Sequence, residues 1–233
     1  APPHVVRMVS SAVSDCYKRH VFAAYGTLFD VNSAAAKCKE NLGSKWEGFA
    51  NAWRTTQLEY TWLRSLMKKH KNFWEITEDS LDHTMETFKI KKEMRSELLD
   101  LYKKLSPYPE VKKCLEGLKA KKIKIAILSN GTPELLKMLV ESNNIQNYFD
   151  DIFSIESVGI YKPDSRVYEM PIKKYTFKPE NICFMSSNTW DVSGGGVFGY
   201  NAVWVNRLNK VFDKLSYKPK YVINNLEELL KII

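Results

Sequence analysis

The chain has 233 residues, 44% of them hydrophobic, and 35 Lys and Arg against 27 Asp and Glu give a formal net charge of +8. That length holds one large domain or a core with a smaller insert, and that apolar content excludes a disordered chain. The positive charge is scattered in pairs such as Lys68-Lys69, Lys121-Lys122 and Lys173-Lys174, which reads as a solvated surface and not as a nucleic-acid footprint.

Residues 1–10 start without Met and carry no apolar core of signal-peptide type; they are expected to be a processed or trimmed end and are set aside. Val21-Phe22-Ala23-Ala24-Tyr25-Gly26-Thr27-Leu28-Phe29-Asp30 is a short apolar strand running into a Gly-Thr turn. From about Ser33 to Leu105 the pattern is helical. Large residues recur at three- and four-residue steps through Trp46, Phe49, Trp53, Gln57, Tyr60, Arg64 and Met67. Thr77 or Asp79 is the expected cap of a helix running to Phe88, and a further helix is expected from Lys91 to Leu105. Pro107 and Pro109 close this insert.

Glu110 to Lys119 is amphipathic, and Lys124 to Ser129 is a buried strand ending in the polar turn Ser129-Asn130-Gly131. A helix starts at Thr132-Pro133, where Pro is tolerated in the first turn. Strands follow at Phe149–Ile155, Asn181–Ser187, Ala202–Val205 and Tyr221–Ile223. Helices are expected over Ser165–Tyr175 and Leu226–Ile232. Strands alternating with helices predict an α/β fold: a doubly wound parallel sheet, Rossmann-like, with an inserted all-helical cap. The core is residues 1–32 and 106–233, and the cap 33–105. Polar clusters follow three strands at one relative place, after Phe22, Leu128 and Phe184. In such a sheet these ends share one edge, where ligands bind.

Cys16, Cys38, Cys114 and Cys183 are widely spaced, so free thiols in a reducing, cytoplasmic setting are expected. The four His lack zinc-site spacing, and neither a metal nor a cofactor is expected. No apolar run approaches the ~20 residues of a membrane span, so no membrane partner is expected.

The stretch from Phe22 to Asp30 resembles the first motif of the L-2-haloacid dehalogenases, Phe-Asp-Ala-Tyr-Gly-Thr-Leu-Phe-Asp, with one difference: Ala23 stands where that family has its nucleophilic Asp. Gln57-Leu58-Glu59-Tyr60-Thr61-Trp62-Leu63-Arg64 is similar to the family's cap helix. Ser129-Asn130-Gly131, Lys162-Pro163-Asp164-x-x-Val167-Tyr168 and Ser186-Ser187-Asn188-x-Trp190-Asp191 are similar to its later motifs. The resemblance runs from Val21 to the C-terminus. It implies attack by an Asp on C2 of an (S)-2-haloalkanoic acid, followed by hydrolysis of the ester to an (R)-2-hydroxy acid.

The same resemblance assigns roles. Thr27 orients the nucleophile, Arg54 and Asn130 receive the halide, and Ser129 holds the substrate carboxylate. Lys162 sits beside the nucleophile, Tyr168 shares the site, and Ser186, Asn188 and Asp191 orient Lys162 and the hydrolytic water. Tyr25, Leu58, Phe73 and Trp190 line an apolar pocket. Each has a plainer reading: turn hydroxyl, surface Arg, core Tyr, helix-capping Ser, Asn or Asp. Arg64 takes the plain one. Gly194-Gly195-Gly196 lacks the spacing and Lys of a P-loop and reads as close packing. Tyr25 stands where superfamily phosphatases carry a second Asp, which weakens that rival.

Ala23 cannot form an ester. Asp15 lies before the strand and Asp30 beyond the turn, so neither replaces the lost group. Ala23 is either a deliberate replacement or a natural divergence, and the chain as written is expected to be inactive. The expected partner is a small halogenated carboxylic acid or another small anion, with a homodimer implied by resemblance alone. A non-catalytic pseudoenzyme or small-anion-binding protein on the same fold is the alternative.

Overall fold

Among the described residues six strands carry the fold: β1 (Arg19–Phe22), β2 (Lys124–Ser129), β3 (Asp151–Ser154), β4 (Cys183–Ser186), β5 (Asn201–Val205) and β6 (Tyr221–Ile223). The computed structural model describes residues 19–232; the expectations for residues 1–10, Asp15 and Cys16 lie outside them. All neighbouring strands pair in parallel, in the order β3-β2-β1-β4-β5-β6. The apolar residues of β1 and β4 are buried on both faces, as a central parallel strand requires. The chain order reverses between β1 and β4, which opens a crevice at their carboxyl ends.

Between β1 and Pro107 the insert runs through five α-helices: α1 (Ser33–Lys37), α2 (Lys39–Leu42), α3 (Trp46–Met67), α4 (Phe73–Phe88) and α5 (Met94–Tyr102). α3 buries Phe49, Ala50, Trp53, Gln57 and Thr61 and packs along α4. The predicted stripe stops short of its expected end: Met67 is 60% exposed, and Arg64 pairs with Asp79 at 3.1 Å on the outside of the insert.

α4 starts earlier than Thr77 or Asp79. Asn72 is its cap, accepting from the Glu75 N–H at 2.9 Å, while the Glu75 carboxylate accepts from the Asn72 N–H at 3.1 Å. Such a reciprocal cap is worth about 1 kcal/mol. Thr77 is instead a buried interior residue whose hydroxyl donates to the Phe73 carbonyl at 2.7 Å. α5 is also shorter than its predicted span.

The flanking helices are α6 (Val111–Ala120), α7 (Pro133–Ser142), α8 (Ser165–Tyr175), α9 (Thr189–Phe198) and α10 (Leu229–Ile232). α7 begins at Pro133, and the Thr132 hydroxyl accepts from the Leu135 N–H. β3 is shorter than Phe149–Ile155 because single helical turns at Gln146–Tyr148 and Ile155–Ser157 enclose it. The glycine run in α9 admits close neighbours. A methyl at Gly194 would come 2.5 Å from the Tyr168 hydroxyl, and one at Gly195 2.8 Å from the Phe184 ring.

Insert and core meet beside the crevice. The Tyr161 hydroxyl donates to the Lys71 carbonyl at 2.7 Å. Glu156 accepts from the Phe73 N–H at 3.2 Å and faces His70 at 2.9 Å. No helix among the described residues is long and apolar enough to cross a membrane.

Candidate active site

β1 ends at Phe22, and the chain turns at once. Gly26 has a φ of +80°, a backbone state that side chains rarely adopt. It lets the Leu28 and Phe29 N–H groups both donate to the Ala24 carbonyl. The turn is fixed from two sides. The Thr27 hydroxyl accepts from the Ser187 N–H at 2.9 Å. Arg207 donates to the Thr27 carbonyl at 2.7 Å, lies over the Tyr108 ring and pairs with Glu110. Ala23, first residue beyond β1, is thereby fixed in the crevice and is 4% exposed.

A small cavity opens there. Ala23, Tyr25, Arg54, Phe73, Ser129, Asn130, Lys162, Asn188, Trp190 and Asp191 all line it, joined by Ala24 and Leu128. Ten of the residues singled out in the sequence thus converge from both sheet halves and the insert. Thr27, Ser186 and Tyr168 sit behind the wall: the Ser186 hydroxyl accepts from the Asn188 N–H at 3.2 Å, and the Tyr168 hydroxyl donates to Asp191 at 2.8 Å. Leu58 is half-buried on α3 and does not line the cavity.

The polar groups are aimed by their other bonds. The Asn130 side-chain oxygen accepts from the Lys162 N–H at 3.2 Å, which leaves its NH₂ as a donor. The Ser129 hydroxyl oxygen accepts from the Gly131 N–H at 3.1 Å and keeps its own proton. Asn188 donates to the Tyr25 carbonyl at 3.2 Å. The Tyr25 hydroxyl is buried and has no hydrogen-bond partner among the described residues.

The charges are unequal. Lys162 and Arg54 line the cavity with Asp191 as their sole carboxylate companion among the described residues. Lys162 donates to Asp191 at 3.0 Å, and both side chains are buried. Burial pushes the Lys162 ammonium below its ordinary range against the pull of Asp191. Burial likewise lowers Arg54, opposed by Tyr102, Tyr25, Tyr108 and Asp191. Burial also lifts the Tyr25 phenol well above its usual value, so it stays a neutral donor. An apolar wall of Phe73, Leu128 and Trp190 carrying several donors and a net positive charge suits a small anion. Among the described residues no three His, Cys, Asp or Glu side chains gather as metal ligands would.

Sequence reading passed over the partners of Arg54. Arg54 donates to Gln57 at 2.8 Å, and Gln57 reaches Thr77 and Tyr102. The available signal was a polar side chain on the buried stripe of α3, three residues from Arg54.

Residues 21–199 match the family model of the haloacid dehalogenase-like hydrolases. The chain is 39% identical to (S)-2-haloacid dehalogenase 1 of Pseudomonas sp. strain CBS-3 over 91% of its length and 95% of that protein. It superposes on the crystal structure of a dehalogenase with a TM-score of 0.92 at 35% identity, covering 97% of this chain and 99% of that one. It also superposes on L-2-haloacid dehalogenase from Xanthobacter autotrophicus with chloropropionic acid covalently bound. There the TM-score is 0.85 at 30% identity, over 92% and 97% of the two chains. With this sheet order, helical insert and identity along nearly its whole length, the chain belongs to the L-2-haloacid dehalogenases of the haloacid dehalogenase-like hydrolases.

Proposed function

We propose that this chain carries the binding frame of an (S)-2-haloacid dehalogenase and, with Ala23 in the nucleophile position, binds its small anions without turning them over. One observation carries the reading: Ala23, Arg54, Asn130, Lys162 and Asp191 line a single cavity with two cations to one carboxylate.

In the complete reaction a carboxylate oxygen at position 23 bonds to C2 of the acid while the C2–halogen bond breaks. The halide keeps the bonding pair, and Arg54 with the Asn130 NH₂ receives it, since both are donors on the cavity wall. Water then adds to the ester carbonyl. Asn188 positions that water and Asp191 takes a proton from it; as the acyl–oxygen bond breaks, this proton passes to the departing oxygen and the water's second proton is released to solvent. The (R)-2-hydroxy acid leaves with the carboxylate oxygen that attacked, and the side chain at 23 regains one from water. Lys162, already tied to Asp191, offsets the charge of a carboxylate at 23 and keeps it ionised. Ser129 and its neighbouring N–H groups hold the substrate carboxylate.

A methyl at position 23 supports none of the covalent steps. The rest of the frame is intact, which favours a small-anion-binding chain over one that has lost its site. The test is chloride release from (S)-2-chloropropanoate. The chain as it stands releases none, and Ala23→Asp releases chloride with formation of (R)-lactate. An Ala23→Asp protein that folds and releases no chloride overturns the reading.

A further inference from the structure

Arg54 extends from α3 into the wall of the cavity, and its hydrogen-bonded neighbour among the described residues is the neutral Gln57, at 2.8 Å. The orientation of that amide is forced. The Thr77 hydroxyl spends its one proton on the Phe73 carbonyl at 2.7 Å, so its oxygen can only accept from Gln57, at 2.7 Å. The other proton of the Gln57 NH₂ points to the Tyr102 hydroxyl at 3.0 Å. With both donors engaged, the amide oxygen turns to Arg54, and the Tyr102 hydroxyl donates to it as well at 3.4 Å. Gln57 is 1% exposed, so this geometry is not shared with water.

Val31, Ala50, Trp53, Gln57 and Tyr102 surround Arg54 on its other side, leaving only a small recess there. A four-torsion side chain on a cavity wall needs a fixed contact to hold one rotamer. A carboxylate would supply that contact, but it would also neutralise the guanidinium and compete with an incoming anion. A fixed neutral acceptor supplies it and leaves the charge intact.

We propose that Gln57 is a positioning residue, whose side-chain amide, locked by Thr77 and Tyr102, holds the Arg54 guanidinium toward the cavity as an uncompensated receptor for halide. This rests on the reading of the cavity as a small-anion site and adds to it the group that makes Arg54 competent.

The experiment is a calorimetric bromide titration of the chain as it stands, of Arg54→Met, Gln57→Met and Gln57→Glu, and of the Arg54→Met/Gln57→Met double variant. Circular dichroism and unfolding midpoints check each fold. Gln57→Met is expected to weaken bromide binding roughly tenfold, the scale of one hydrogen bond to a charged group. It is expected to add nothing once Arg54 is gone. Gln57→Glu binds most weakly at pH 7 and regains affinity as the pH falls and the new carboxylate is protonated, a recovery that a purely structural role does not produce. Unchanged bromide affinity in Gln57→Met beside a weakened Arg54→Met overturns the positioning role alone. So does an equal loss from Gln57→Met with and without Arg54. Bromide affinity unchanged in Arg54→Met, or absent in the parent chain, overturns the anion-site reading and the proposal with it.

Discussion

The Lys162 ammonium donates to Asp191 at 3.0 Å with the two side chains 3% and 1% exposed, and the Tyr168 hydroxyl donates to the other Asp191 oxygen at 2.8 Å. Lys162 and Asp191 are therefore each other's answer to burial. Removing one leaves the other buried without its counter-charge. Lys162→Met is expected to lower stability by about 3–5 kcal/mol, the cost of orphaning a buried charge. Urea unfolding at pH 7 measures it. Lys162→Met combined with Asp191→Asn is expected to recover much of the loss, because no charge then remains to be paired.

Asp150 gives a stability that depends on acid. Burial alone would raise its carboxyl pKa, but Lys119, the Ile125 N–H and Lys124 outweigh it and hold it at about 2. The contacts are 2.8, 2.9 and 2.9 Å. The folded value lies below the unfolded one, so the stabilisation is fully present above pH ~4 and is lost as the pH falls through about 2. The full shift would correspond to roughly 2 kcal/mol, and solvent screening of so exposed a residue brings it to about 1 kcal/mol. Asp150→Asn is expected to lose about that much at pH 7 and little at pH 2, read from urea unfolding at both values. An equal loss at both pH values would assign the effect of Asp150 to shape alone.

How far the sequence discloses this molecule depends on the distance between cause and effect. The strand and turn from Val21 to Asp30 are legible because an apolar run and a Gly requiring positive φ act within ten residues. The convergence of Ala23, Ser129 and Asn188 is legible because parallel topology puts every strand's carboxyl end at one edge. The start of α4 was misplaced although Asn72 and Glu75 spell a cap, because Thr77 and Asp79 offer equally good capping groups. Only packing decides among them: Thr77 turns inward to meet Gln57. The role of Gln57 was hidden for the same reason, since its partners lie 20 and 45 positions away on two other helices. Leu58 shows the converse. With Gln57 turned into the insert, the next residue is rotated about 100° round the helix, away from that contact.

Gly131 fixes how Tyr25 sits. A methyl there would come 2.7 Å from the Tyr25 hydroxyl, 3.0 Å from its ring and 3.1 Å from Leu136. The ring cannot simply retreat, being held against Phe73 and Tyr102 at centroid distances of 5.1 and 5.9 Å. Gly131→Ala is expected to cost about 1–3 kcal/mol of stability through overpacking. It should also weaken bromide binding by moving a cavity wall. Parallel thermal and calorimetric measurements test both, and a stable variant with parental bromide affinity would show that Tyr25 yields without consequence.

Trp190 is shared between two spaces. It lines the cavity at Ala23 and also an outer groove formed by Pro163, Ser193, Val197, Phe198 and Leu215. Its ring meets Trp62 edge-on at 5.4 Å, which braces it from the insert. Standing between the two spaces, its indole is expected to limit the length of alkyl group that the inner cavity accepts. Trp190→Ala is expected to join the spaces and let a longer tail reach the groove, where each added methylene contributes about 1 kcal/mol. The measurement is the affinity ratio of 2-chlorohexanoate to 2-chloropropanoate by calorimetry. The ratio should rise at least tenfold over the parent, because the shorter acid gains nothing from the groove. A ratio that stays at the parental value would show that something other than Trp190 closes the cavity on that side.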